Sequence, residues 1–318
     1  MPEILVIIVT YNGEKWIRRC LDHLAGSTQP VKTVVVDNGS TDHTKRIISE
    51  GFPDVMLLEE DQNHGFGQAN NIALAYALQQ QTDYVLLLNQ DAYVYPGTIG
   101  TLLSVAEKHP EYGIISPLQQ NGSGGQLDVQ FRIFIANNYP EAFVKKVEAR
   151  EGDLPELFPV RFVNAAAWFI PRSCLERTGL FHPLFYHYGE DNNYCSRVQY
   201  HGFKTGITPL AAIRHDRTQT GADKKQLERQ IAIVPLYILL DLRKKIVLAY
   251  LLVFWKLVGY LWKGIKQKSP DICRLTFSEI KWVVKNTRRI ADARRTTKAP
   301  YVNKAAVVPK TAIQQTNH

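Results

Sequence analysis

The stretch "YVLLLNQDAYVYPG", residues 84–97, decides how the first half of this chain is read. An apolar run, Tyr84 to Leu88, stops abruptly at the polar triplet Asn89-Gln90-Asp91. A short, nearly continuous apolar run of this kind predicts a strand covered on both faces of a parallel sheet. In such sheets ligands sit at the carboxyl ends of the strands, which is where the triplet falls. Taken alone, the triplet reads more readily as a strand-end turn than as a metal site, because it offers one carboxylate and an amide. Mg²⁺, however, is held by one or two protein groups when substrate phosphates complete its shell, so a single carboxylate is no veto.

Working outward, similar runs recur at Ile4–Val9, Val31–Val36, Val55–Leu58 and Ile114–Ile115. Between them Trp16, Cys20, Leu21 and Leu24 repeat at helical spacing. Ile47 and Ile48 follow the cap-rich Ser40-Thr41-Asp42 and precede a stop at Gly51, and Ala69 to Leu78 forms a third helical pattern. The alternation predicts a doubly wound α/β domain over the first 116 residues. Three polar clusters follow apolar runs directly: Thr10-Tyr11-Asn12, Asp37-Asn38-Gly39 and Asn89-Gln90-Asp91. Residues 117–160, rich in Gly, Gln, Asn and Pro, read as a long irregular insertion.

"VVVDNGSTD", Val34 to Asp42, places Asp37 at a strand end, where a carboxylate can accept hydrogen bonds from a base or a ribose. A strand-turn-helix with Ser and Thr capping is the plainer alternative, and both hold together. "NHGFGQANN", Asn63 to Asn71, contains Gly65-Phe66-Gly67, but Asn70 stands where a dinucleotide fingerprint needs its third glycine, and the segment follows the third strand rather than the first. It reads as a loop close to a ligand or as a simple glycine turn. In "YGEDNNYCSR", Tyr188 to Arg197, Glu190 and Asp191 are adjacent; neighbours on a helix do not face each other, so they would take separate roles. The bland reading is a helix N-terminus whose dipole favours acids. His215, in "AAIRHDRTQT", is a lone histidine that gains weight only if the fold brings it near Asp91.

Taken in order, "VIIVTYNGEKWIRRCLDHL", "VVVDNGSTDHT", "NHGFGQANNIAL", "LLLNQDAYVYPGTI", "FVNAAAWFIPRSCLERTGLFHPLFYHYGEDNNYCSRVQYHGFK" and "AAIRHDR" resemble the family 2 glycosyltransferases of GT-A type, in particular rhamnosyltransferase-like members, over residues 3 to about 217. The resemblance implies a GT-A doubly wound, mostly parallel sheet with helices on both faces, and an inverting hexosyltransferase that uses a nucleotide-sugar donor. It implies a catalytic domain over 1–230, with a nucleotide-binding half (1–116) and an acceptor-side half (117–230). Thr10, Tyr11 and Asn12 would line the nucleotide pocket, Asp37 and Asn38 would contact the nucleotide, and Asn63, Gly65 and Asn70 would approach it or its ribose. Asn89-Gln90-Asp91 matches the family's DxD segment, with Asn89 and Gln90 on the donor side. Asp91 would be a ligand of Mg²⁺ or Mn²⁺, and His215 would complete that site. Asp191 matches the catalytic base, Glu190 would bind acceptor, and Trp168 falls where the family contacts sugars. Asn89 departs from the first Asp of DxD, and Asn193 stands where a further acid is common. The donor implied is dTDP-rhamnose or a UDP-hexose, and the acceptor a glycan or lipid-linked glycan of a cell-surface polysaccharide.

The net charge of +8 hides an asymmetry: residues 1–242 carry −6, residues 243–318 carry +14. Ile246 to Trp262 is nearly all apolar, flanked by Arg243, Lys244 and Lys245 before it and Lys263, Lys266 and Lys268 after. It is short for a span, which needs about 20 apolar residues, and Lys256 lies in its middle. A stripe of Lys245, Ala249, Leu252, Lys256, Gly259, Lys263 and Lys266 on an otherwise apolar helix predicts a segment lying in an anionic membrane interface. A core helix docked on the catalytic domain is the alternative. The expected layout is a helical membrane-interface or docking region over 231–295 and a basic flexible tail over 296–318. Four unpaired cysteines and no evident signal peptide predict a cytoplasmic protein, attached peripherally to the inner face of the cell membrane. Two rival readings fit less well. A sugar-phosphate nucleotidyltransferase wants a glycine- and basic-rich N-terminal loop that Val9-Thr10-Tyr11-Asn12-Gly13 is not. A nucleic-acid-binding protein would interleave aromatics with basic residues, whereas here they lie in an apolar helix, so no nucleic-acid partner is expected.

Overall fold

The computed structural model describes residues 1–217 and 223–301, the side chains of 223–226 excepted. The masked part of the expected tail, 302–318, lies outside the described residues. The first half alternates β1 (Ile4–Thr10), α1 (Ile17–Ala25), β2 (Lys32–Asp37), α2 (Thr44–Gly51), β3 (Met56–Glu59), α3 (Phe66–Gln79) and β4 (Tyr84–Asn89). It continues with β5 (Ala92–Val94), α4 (Thr98–Lys108) and β6 (Tyr112–Asn121). Alternate residues of each strand serve opposite faces. Leu5 and Ile7 of β1 pack with α3, whereas Ile4, Val6 and Ile8 pack with α1 and α4. Helices on both faces explain why these strands read as unbroken apolar runs.

Residues 117–160 are not the irregular insertion expected. β6 runs on to Asn121, and two helices follow, α5 (Val129–Ala136), capped by Asp128, and α6 (Glu141–Ala149). Each is pinned by a minimal apolar stripe, Phe131 and Ile135 or Val144 and Val147. Then come β7 (Phe158–Pro159), β8 (Ala167–Pro171), α7 (Arg172–Thr178), α8 (Glu190–Tyr200) and β9 (Lys204–His215). The described strands form one mixed sheet in the order β3-β2-β1-β4-β8-β6-β9-β5, with β7 on β9. Its first four strands are parallel. β8 is antiparallel to both β4 and β6, and β9 returns parallel to β6. The order turns between β1 and β4, and a doubly wound sheet opens a crevice at such a switch point.

The remaining helices are α9 (Asp223–Leu239), α10 (Ile246–Lys266), α11 (Pro270–Lys285) and α12 (Thr287–Lys298). They share a separate apolar cluster, which reaches the sheet-bearing half through Leu184 and Phe185. Helix therefore begins before residue 231 and continues past 296. Two further fastenings tie this unit to α7 and α8. Between α9 and α10 Asp241, buried, accepts from Ser196 Oγ of α8 at 2.8 Å and pairs with Arg243 and Lys244. Those partners hold the Asp241 carboxyl well below the usual range, against the opposing effect of burial. At its end the His201 ring meets the Thr297 carbonyl at 3.0 Å, and Tyr301 N–H donates to the Arg177 carbonyl at 3.2 Å. Arg294 braces the whole by donating to the carbonyls of Leu239, Asp241 and Lys244.

α10 turns Ala249, Val253, Leu257 and Gly264 inward. Ala249, expected in the cationic stripe, is fully enclosed because the helix packs on α9 and α11 along that line. The opposite side exposes Val247, Leu251, Trp255, Val258 and Trp262, with both tryptophans about two-thirds exposed (67% and 68%). Lys245, Lys256 and Lys263 run along one margin of this apolar face, set by helical spacing. Among the described residues α10 is the one helix long and apolar enough to cross a membrane, by length and composition.

Candidate active site

β1 and β4 end side by side at the switch point, and their tips are bonded to each other. Thr10 Oγ1 donates to Gln90 Oε1 at 2.6 Å, and the Tyr11 N–H donates to the same oxygen at 3.1 Å. Tyr11 stands exposed beside them. Asn12, held at a positive φ of 45°, stitches this loop to the next: its N–H donates to Ser40 Oγ, and its Oδ1 accepts from the Thr41 N–H. Asp37, fully enclosed at the end of β2, accepts from the Ser40 N–H through Oδ1 at 2.9 Å, while its Oδ2 is buried without a partner. A buried carboxylate oxygen left open is uncommon and costly in a finished fold. Asn89 carries a similar buried, unpartnered oxygen, Oδ1.

The antiparallel pairing of β5 with β9 sets Ala92 opposite His215. This brings the His215 Nε2 to 3.4 Å from Asp91 Oδ1, and the Asp91 carbonyl accepts from the Asp216 N–H at 2.8 Å. His215 is almost wholly buried, with its Nδ1 unpartnered, and the Asp91 side chain is 20% exposed. Two cis ligands at about 2.1 Å from an octahedral ion lie about 3 Å apart, so the pair fits a divalent cation that a diphosphate would help coordinate. A second cluster, Glu60, Asp61 and His64, gathers its ligand atoms within 4.8 Å. It lies on the surface after β3, where the His64 Nε2 already meets Glu60 at 3.1 Å.

The two adjacent carboxylates Glu190 and Asp191 open α8, whose N-terminus abuts that of α3: a Cβ at Gly67 would lie 3.6 Å from the Glu190 Cβ. The turn leading in is tight, with Tyr188 at φ 69° and Gly189 at φ 84°. Such backbone is costly for tyrosine and is found where surroundings over-determine it, often at functional sites. Glu190 is buried with Oε2 unpartnered. Asp191 is half-buried, and its Oδ1 accepts from the Asn192 N–H at 2.7 Å. Burial raises both carboxyls above the ordinary range, and the neighbouring Asp191 charge raises Glu190 further. A carboxylate kept basic near neutrality is suited to accepting a proton.

Three residues expected at ligands are engaged by the protein itself in this structure. Asn38 is buried and engaged by the protein: Nδ2 donates to Asn63 Oδ1 and Oδ1 accepts from the His64 N–H, so it holds the 63–65 loop. Asn70 is buried within α3, donating to the Phe66 carbonyl one turn back. Trp168 is fully enclosed, packed with Phe181 and Tyr194 in a cluster of three rings beneath α8, with its Nε1 buried and unpartnered. Asn63 and Gly65 hold the loop itself: Asn63 Oδ1 accepts from the Gly65 N–H, and the Tyr186 hydroxyl donates to the Asn63 carbonyl. Gly65, at φ 81°, has no room for a side chain, because a Cβ would sit 1.8 Å from the Tyr186 carbonyl oxygen. The sequence reading passed over Asn71, which grips Phe181 through both its N–H and its carbonyl, at 2.7 and 2.9 Å. Its signal was an amide on the apolar side of a helix, a position that demands a partner.

A doubly wound α/β sheet with its polar groups gathered at the switch point, an aspartate after β4 meeting a histidine at the end of β9, and acids opening α8, is the arrangement of a GT-A glycosyltransferase. The chain belongs to glycosyl transferase family 2, whose model matches residues 5–178. It is 28% identical over 249 residues to the N-acetylglucosaminyl-diphospho-decaprenol L-rhamnosyltransferase of Mycobacterium tuberculosis, covering 70% of this chain and 80% of that one. It is 25% identical to the O-antigen chain rhamnosyltransferase WbaN of Salmonella anatum, over 69% and 68% of the two chains. Its fold resembles that of the mannosyltransferase PcManGT from Pyrobaculum calidifontis, solved with GDP-Man and Mn²⁺, at a TM-score of 0.57 and 19% identity over 93% and 85% of the chains. The protein is thus an enzyme that transfers a sugar from a nucleotide-sugar donor.

Proposed function

We propose that the enzyme moves a sugar from dTDP-rhamnose or a UDP-hexose, with inversion, to a hydroxyl of a lipid-linked glycan in cell-surface polysaccharide synthesis. The reading rests on one arrangement: Asp37 with an open buried oxygen and Asp91 against His215 lie at the carboxyl ends of the strands, and α8, opened by Glu190 and Asp191, abuts the start of α3. The rhamnosyltransferase relatives support the donor, and the diphospho-decaprenol in one relative's name supports the acceptor class.

The parts divide the work as follows. Asp37 Oδ2 accepts from the base or ribose once the enclosing loops admit the nucleotide, and Tyr11 offers an exposed ring beside it. Asp91 and His215 would hold Mg²⁺ or Mn²⁺, which would supply a Lewis acid for charge on the diphosphate. Asp191 takes the proton of the acceptor hydroxyl, whose oxygen bonds to the anomeric carbon from the face opposite the diphosphate as the nucleoside diphosphate leaves. That direction of attack inverts the anomeric configuration. Glu190, buried beside it, binds the acceptor. The test is a screen of UDP-, dTDP- and GDP-sugars with Mn²⁺ by thermal shift, followed by turnover and NMR of the product anomer. No stabilisation and no turnover with any donor, or a retained anomer, refutes the reading.

The outer face of α10 supports peripheral attachment to an anionic membrane, on the inner face of the cell membrane. Trp255 and Trp262 would sit at the acyl boundary, and Lys245, Lys256 and Lys263 would meet lipid phosphates. Replacing both tryptophans with glutamate is expected to weaken binding to anionic liposomes about 10²-fold or more, since each buried side chain contributes about 1.5–3 kcal/mol. Unchanged co-sedimentation would remove the membrane from the proposal.

A further inference from the structure

α9 lies directly on the turn that presents the catalytic acids. A Cβ at Gly189 would meet Ile233 Cγ2 at 2.4 Å, so α9 packs on the residue that precedes Glu190. One helical turn earlier on the same side of α9, the Arg229 guanidinium lies 3.8 Å from the centre of the Tyr188 ring. Two consecutive residues of the turn, Tyr188 and Gly189, thus carry two consecutive turns of α9. Arg229 is exposed, and no carboxylate among the described residues pairs with it. Its neighbours differ: Arg217 is taken by Asp128, Arg243 by Asp241, and Arg197 is buried against the carbonyls of Thr178 and Leu180. Held over the ring face and exposed, the guanidinium keeps N–H donors for an oxyanion of phosphate. His187, whose ring lies 4.0 Å from that of Tyr188, is held below its ordinary range by burial and then by the Arg229 charge, which keeps the imidazole neutral beside it.

The position along the chain matters as much as the chemistry. Arg229 stands three residues from Asp191 by way of Tyr188, and α9 leads from it through Leu239 to α10, whose apolar face is exposed. A lipid-linked acceptor has its reacting hydroxyl at one end, its hydrocarbon at the other and a phosphate ester between them. With the hydroxyl at Asp191 and the hydrocarbon beyond α10, the phosphate falls along α9. We infer that Arg229, held over the Tyr188 ring, is a binding residue for the phosphate or diphosphate of the acceptor; this rests on the acceptor class proposed above.

The test uses the full chain in detergent micelles, with farnesyl diphosphate and farnesol as probes, in the presence of saturating UDP and Mn²⁺ to fill the donor side. The wild type is expected to bind the diphosphate at least about tenfold more tightly than the alcohol, in line with charge-assisted hydrogen bonds. Arg229→Ala is expected to bring the two within about twofold, and Arg229→Lys to keep part of the preference, with circular dichroism checking the fold of both. A preference that survives in Arg229→Ala overturns the assignment. So does loss of diphosphate binding on adding UDP and Mn²⁺, which would place it in the donor site. A fall in anionic-liposome binding as large as the fall in diphosphate binding would make Arg229 a headgroup contact and overturn it too. Absence of turnover with every nucleotide sugar would instead refute the proposed reaction and is read on the wild type, apart from Arg229.

Discussion

Asp191→Asn is expected to fold, to bind a nucleotide-sugar donor as the wild type does, and to lose transfer by about 10²–10⁴-fold, the usual contribution of a positioned general base. The substitution keeps the size and keeps an oxygen that can accept from the Asn192 N–H, so the loss would be in proton acceptance and not in packing. Stability gives an independent check. The folded carboxyl is raised by burial above its unfolded value, so its contribution to stability is unfavourable once pH passes above the unfolded pKa, and grows until the folded pKa is passed. Asparagine removes that cost, and chemical denaturation at neutral pH is expected to show a variant as stable as the wild type or more so. The same raised pKa makes the wild-type rate fall as pH drops through it, at a pH above that of an ordinary aspartate. Near-normal turnover in Asp191→Asn, or a rate flat down to the ordinary carboxylate range, would remove Asp191 from this role.

Asp91→Ala is expected to lower transfer on the order of 10³-fold, because a Lewis acid at the leaving diphosphate contributes several kcal/mol. It leaves His215 facing no carboxylate at 3.4 Å, and the expected signature is a selective one. Donor binding measured with Mn²⁺ should fall toward that measured in chelator, while binding of the nucleoside alone should barely move, since Asp37 is untouched. Isothermal titration with UDP in Mn²⁺ or in chelator separates the two. Full activity of the wild type in excess chelator would dismiss the metal, whatever Asp91→Ala did.

The parallel half was legible because both of its faces are covered, which writes strands as unbroken apolar runs. β5 was not, because three residues after a polar triplet carry no period of their own; its existence depends on β9, far along the chain. α5 and α6 were hidden for a related reason. Each shows only two inward residues, set among the glycines and asparagines of their connections. In the site, residue type was readable but use was not. Asn38, Asn70 and Trp168 are polar-ended side chains near ligand-bearing strands, and the sequence could not say that Asn63, Phe66 and Tyr194 would claim or enclose them. Asp91 and His215 met only through the pairing of two strands, and a resemblance over the whole ordered set, not either motif alone, anticipated it.

α10 to α12 leave the sheet-bearing half at Asp241, bound to Ser196, and the chain returns to it at Thr297 and Tyr301, against His201 and Arg177. A handle joined to its tool at one point can swivel, whereas one fastened at both ends cannot. Whatever plane the outer face of α10 rests on therefore sets both the height of Asp191 above that plane and the direction in which it faces. Reach, and not chemistry alone, then selects among acceptors: a hydroxyl carried too near the surface or too far from it is out of register with the base.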